Sequence, residues 1–210
     1  MKTKYNKISI SIILFIFIFF INNTSQAYVK IGYKLTGTWY DDNYYIPKRN
    51  VTYKNKTVNY YNIAVNAINA WNNAVNSTSS SPLDIRLTFS SSVSNTKTRI
   101  SIDPIDRGPT GWRGLANYFY LDSSNRLVPN PQGKFPTKNY VSGSAIINIY
   151  YVHDNPNWKI QNTMMHEVGH ILGLKHSNTS GALLVSDSAK YNKLVPPQYD
   201  DIAGVRSIYK

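Results

Sequence analysis

The chain has 210 residues, no cysteine and a formal net charge of +12. The missing cysteine excludes disulfides, thiolate metal sites and any nucleophilic-cysteine mechanism. The charge favours an anionic cell envelope or an acidic protein surface as partner, but the positive residues are scattered and form no run that would specify nucleic acid.

Lys2, Lys4 and Lys7 precede an apolar stretch from Ile8 to Ile21. Ser25-Gln26-Ala27 follows, with small residues at both ends of the tripeptide. A basic start, an apolar run too short to span a bilayer and an A-x-A-like site predict a secretory signal peptide cut after Ala27. The expected organisation is a signal peptide over residues 1–27 and one domain over 28–210. The mature chain is expected to be secreted, monomeric and without a membrane span.

Tyr28 to Ile46 reads as extended and enters a sheet as an early strand, with a second strand near Asn50 to Tyr53. Thr57 to Asn76 predicts a helix capped by Thr57, because Tyr61, Ala64, Val65, Ile68, Trp71 and Val75 recur at three- and four-residue steps. Leu83 to Phe89 and Thr98 to Ile102 alternate as strands do. Asp103 to Gly111 reads as a loop, Leu115 to Leu121 as a strand, and Asp122 to Tyr140, with its three prolines, as a long loop. Ser144 to Tyr151 alternates again as a strand. Asn155 then caps a helix with Pro156 at its first position, running to about Leu172 and burying Ile160, Met164, Val168 and Ile171. Pro196-Pro197 ends a loop, and Asp200 opens a final helix to Tyr209 with Ile202, Val205 and Ile208 facing inward. Asp200 and Asp201 suit the positive end of that helix.

Chemistry concentrates in one run, His166-Glu167-Val168-Gly169-His170-Ile171-Leu172-Gly173-Leu174-Lys175-His176. It holds three of the four histidines and the sole glutamate, so chance in so His- and Glu-poor a chain is a weak explanation. His166 and His170 are four apart and share one helix face, aimed at a single ion. Glu167 projects beside them, able to reach a water without being a ligand. Gly173 lets the helix stop and the chain turn, which brings His176 back as a third ligand. Three protein ligands leave a fourth zinc position open, as in catalytic rather than structural sites. The expected roles are His166, His170 and His176 as ligands of one catalytic Zn2+, and Glu167 as catalytic general base. The competing reading is a secreted, basic binding module with a structural zinc and no peptidase activity.

HEVGHILGLKHS resembles the zinc signature of the metzincin endopeptidases, and Ser177 after the third histidine resembles the matrixin choice. Ala67 to Trp71 is similar to the matrixin A-x-x-x-W segment, Gly114-Leu115-Ala116 to the edge strand above the matrixin cleft, and Asp200 to Tyr209 to the closing helix. The resemblance implies an α/β (α+β) metzincin-like fold: a twisted, mixed five-stranded sheet with one antiparallel edge strand, two long helices, and a small C-terminal subdomain with a final helix. It also implies cleavage of protein or peptide substrates lying extended along Leu115 and Ala116. Leu184 stands where metzincins carry a methionine beneath the zinc, and Val185 where matrixins often have a tyrosine at the pocket wall. His153 is the one histidine outside the run, expected at the surface or at a strand end, so a second, structural zinc is expected to be missing. Asp103 and Asp106 are candidates for Ca2+, as in matrixin loops.

Overall fold

The computed structural model describes residues 28–36, 43–46, 50–76, 88–89, 98–187 and 190–209. The expected signal peptide, and the strand expected from Leu83 as far as Leu87, lie outside the described residues. The strands are Asn43–Tyr45 (β1), Asn50–Tyr53 (β2), Lys56–Asn59 (β3), Thr88–Phe89 (β4), Thr98–Ile105 (β5), Gly114–Leu121 (β6), Leu127–Pro129 (β7) and Ser142–Asn148 (β8). The helices are Tyr60–Asn76 (α1), Ile149–Val152 (α2), Asn157–Ile171 (α3) and Tyr199–Tyr209 (α4).

One mixed sheet of six strands runs in the order β4-β1-β5-β8-β6-β7. Strands β4, β1, β5 and β8 pair in parallel, whereas β6 lies antiparallel to β8, with Ala116 opposite Ala145. All seven residues of β8 are buried, as expected of a strand covered on both faces. Two long helices, α1 and α3, pack against one another. Trp71 of α1 is fully buried, and its indole N–H donates to the Met165 carbonyl of α3 at 2.9 Å. Ile160, Met164, Val168 and Ile171 are buried on α3, the stripe the periodicity predicts.

Several boundaries differ from the sequence reading. Residues 57–59 belong to β3 rather than to the start of the helix, because β3 pairs with β2 in a separate two-stranded hairpin. Asn59, not Thr57, then caps α1, its side-chain oxygen accepting from the Asn62 amide at 2.9 Å. Thr57 instead meets Thr52 across the hairpin at 2.8 Å. The expected loop from Asp103 loses its first three residues to β5, where Pro104 lies opposite Ile147 of β8. The strand expected to Tyr151 stops at Asn148, whose side chain accepts from the Tyr150 amide and opens α2. The loop after Asp122 contains β7, which adds a sixth strand beside the C-terminal half of β6. Asn155 does not cap α3; Pro156 occupies that position without a side-chain bond, and the Asn155 side-chain NH2 donates to the Tyr151 carbonyl.

Candidate metal centre

Helix α3 carries His166, Glu167 and His170, all buried. A Schellman motif closes its end: the Leu174 amide donates to the Gly169 carbonyl at 3.2 Å and the Gly173 amide to the His170 carbonyl at 2.9 Å. Gly173 adopts φ of 96°, the left-handed backbone that the motif requires. Ile31 N–H to Gly173 O, at 2.8 Å, and Lys175 N–H to Val29 O, at 2.7 Å, then tie the turn to the N-terminal segment. His176 emerges from this strapped turn facing α3.

The ligand atoms of His166, His170 and His176 all lie within 4.8 Å of one another. Nδ1 of His166 is 3.0 Å from the Leu183 carbonyl, and Nδ1 of His170 is 2.8 Å from the Leu174 carbonyl. A carbonyl oxygen only accepts, so each Nδ1 must carry the proton and each Nε2 must present a lone pair. Nε2 of His166 and Nε2 of His176 approach to 3.2 Å. Two converging nitrogen donors at this distance suit a shared cation, and three imidazoles form a donor set that zinc prefers. Burial holds His166 down to about 4 and His170 well below its ordinary value, so both imidazoles are neutral and metal-ready near pH 7.

Glu167 lies beside this trio under β6. Burial raises its carboxyl to about 8, opposed by a hydrogen bond from the Ala116 amide. Its position depends on Gly114. A Cβ there would lie 2.5 Å from Oε1 of Glu167 and 2.6 Å from its Cγ. Two cavities flank the group. One of about 320 Å³ lies toward the start of β6 and is lined by Arg113, Lys159, Thr163 and Ser186 as well as Glu167. Another of about 220 Å³ runs between Leu115, Ala116 and Tyr118 of β6 and the loop bearing Lys134 and Phe135. The Phe135 ring is 6.1 Å from the His170 ring in an edge contact.

The floor is built by a loop and by α4. Leu184 is buried, and a Cβ at Gly169 would lie 2.6 Å from its Cδ2 and 2.9 Å from Trp71. Buried Asp201 accepts from the Leu183 amide at 2.9 Å and the Leu184 amide at 3.1 Å. Ser177 donates through its hydroxyl to Asp200 at 2.6 Å and through its amide to the Leu184 carbonyl at 2.7 Å. Beyond the helix-end role expected of them, these two aspartates clamp the loop whose Leu183 carbonyl holds His166. Val185 bridges to Ser177, and its neighbour Ser186 reaches the larger cavity.

His153 is 1% exposed, which corrects its expected surface position. Its Nε2 donates to the Lys56 carbonyl at 2.7 Å and its Nδ1 meets the Tyr60 hydroxyl at 3.1 Å, so it knits the β2–β3 hairpin to the core. Asp103 accepts from Ser101 and Ser144, and Asp106 from the Gly108 amide. Neither belongs to a cluster of three or more potential ligands among the described residues. Calcium therefore gains no support.

A family model described as Matrixin matches residues 38–210. This chain belongs to the matrixin family. As a matrixin it is a zinc metallopeptidase, and its substrates are proteins. No curated protein sequence matches it. Among solved structures, a chain of the "GM1 bound form of the ECX AB5 holotoxin" is similar in fold, with a TM-score of 0.52. That similarity covers 85% of this chain and 84% of the other at 18% identity. No helix among the described residues is long and apolar enough to cross a membrane.

Proposed function

We propose that this matrixin is a secreted endopeptidase in which Glu167 is the general base and His166, His170 and His176 hold the zinc. The observation that carries this reading is the buried Glu167 carboxyl, set beside three convergent imidazoles and against the backbone of β6. A structural site needs no such group. His166, His170 and His176 would hold zinc, which would supply Lewis acidity that polarises a carbonyl and lowers the pKa of water to roughly 7.

The remaining steps belong to the chain's own residues. A cation at the three histidines would favour the ionised carboxylate over the acid that burial favours without metal. Glu167 then takes a proton from the attacking water as the water oxygen bonds to the scissile carbonyl carbon. The C–N bond then breaks, and Glu167 delivers the proton to the departing amine. Such acid–base help contributes typically ~10² to 10⁴-fold. An extended peptide lies against the first half of β6, since β7 pairs only with Phe119, Tyr120 and Leu121. Hydrogen bonds in β6 alternate. The Arg113 carbonyl bonds β8 through the Asn148 amide, while the Ala116 amide and the Tyr118 carbonyl face away from β8. The Gly114 and Ala116 carbonyls share that outward direction and are placed to receive a substrate strand.

The test is to incubate the purified chain from Tyr28 with a diverse peptide library, with and without chelator, and to map cuts by mass spectrometry. Chelator-sensitive internal cleavage supports the reading. A zinc-loaded, folded chain that cuts no peptide refutes it and leaves a binding module.

A further inference from the structure

We propose that the larger cavity beside Glu167 selects an acidic side chain on the substrate residue that follows the cleaved bond. This rests on the peptidase reading and names the substrate class of that same site. The cavity of about 320 Å³ is lined by Arg113, Lys159, Thr163 and Ser186 in addition to residues of the metal centre. Both cations are half-buried, and neither has a carboxylate partner among the described residues. Glu167 is the one acid among the described lining residues, and a cation held by the three histidines would offset its charge.

Position and direction follow from the helix and the strand. Lys159, Thr163 and Glu167 recur at four-residue steps on α3, so they line one face of it. At 1.5 Å per residue the lysine sits roughly 12 Å along the axis from Glu167, room for a side chain entering between them. No acidic residue occupies the first turn of α3, so the positive end of the helix adds to the field of Lys159. The cavity lies at the Gly114 end of β6. A substrate strand antiparallel to β6 runs toward that end as it passes from its N-terminal to its C-terminal side. The residue after the cleaved bond therefore faces Arg113 and Lys159. An apolar side chain there would leave both cations desolvated and unpaired, whereas a carboxylate pairs with them.

The experiment compares matched peptides that differ only as Glu against Gln at that residue, cleaved by the zinc-loaded chain and by Lys159→Gln and Lys159→Glu. The expected result is a kcat/KM about tenfold higher for the Glu peptide with the natural chain. The preference should fall to near parity in Lys159→Gln, and Lys159→Glu should prefer Lys over Gln at the same position. Raising salt should shrink the natural chain's preference. Equal cleavage of the Glu and Gln peptides overturns this inference and leaves the peptidase reading intact. Cleavage of no peptide by folded, zinc-loaded chain overturns both. Thermal melts of each variant establish that a lost preference is not lost folding.

Discussion

Gly114 and Glu167 touch so closely that position 114 has no space for even a methyl group, since a Cβ would lie 2.5 Å from Oε1 of the carboxyl. The contact joins the strand proposed to face substrate to the proposed base. Gly114→Ala must push Glu167 away from the Ala116 amide or bend β6. We expect activity to fall at least ~100-fold, the scale of a misplaced catalytic group, while zinc content stays unchanged. Overpacking of this kind also costs about 1–3 kcal/mol of stability. Steady-state kinetics beside metal analysis of the same preparation checks the split.

Asp201 acts on the candidate metal centre at one remove. Its carboxylate fixes the Leu183 and Leu184 amides, and the Leu183 carbonyl fixes His166. Asp201→Ala strips both amides of their partner. Zinc affinity should weaken about 10- to 100-fold, as for other residues that orient a ligand. Chelator competition measures this. Asp200→Ala removes the Ser177 contact but leaves the two Leu amides bonded, so a smaller loss is expected.

The metal-free protein should respond to pH in two opposed ways. Burial depresses His166 from 6.5 to about 4, so its contribution to stability is present above pH 6.5 and lost as pH falls toward 4. Burial raises Glu167 from 4.5 to about 8, so its contribution is full below pH 4.5 and lost as pH rises toward 8. Melting temperatures of metal-free chain across pH 4 to 9 should therefore fall at both ends. Glu167→Gln should remove the decline between pH 6.5 and 8 and keep the acid-side decline. An unchanged alkaline limb in that variant would contradict the burial of an ionisable group at 167.

Much of this site was legible because it is local. His166, Glu167 and His170 share one helix, and Gly173 turns the chain within three residues of His170, so spacing alone brings His176 back. Asp201 was not legible, since its partners lie 17 and 18 residues away across a loop without periodicity. Strand β3 was hidden because Thr57 and Val58 lead directly into the apolar stripe of α1, and only their pairing with β2 separates the two. His153 was misplaced for a related reason. Its partners Lys56 and Tyr60 are more than ninety residues distant, and a lone histidine beside Asp154 has no local sign of burial.

Leu184 in place of methionine is a volume-conserving change in a buried site packed against Gly169 and Trp71. Leu184→Met should change stability by under about 1.5 kcal/mol and leave zinc content unaltered. Leu184→Ala should cost about 2–5 kcal/mol. Urea unfolding of the zinc-loaded variants measures both.

The base and the ligands separate in one experiment, zinc content and turnover measured together on purified, folded Glu167→Ala after zinc is resupplied. The expected result is one zinc per chain with nearly all cleavage lost, while His166→Ala loses the metal as well. Near-normal cleavage by Glu167→Ala, or no stoichiometric zinc in the natural chain, would contradict a metal held by three imidazoles with Glu167 as its base.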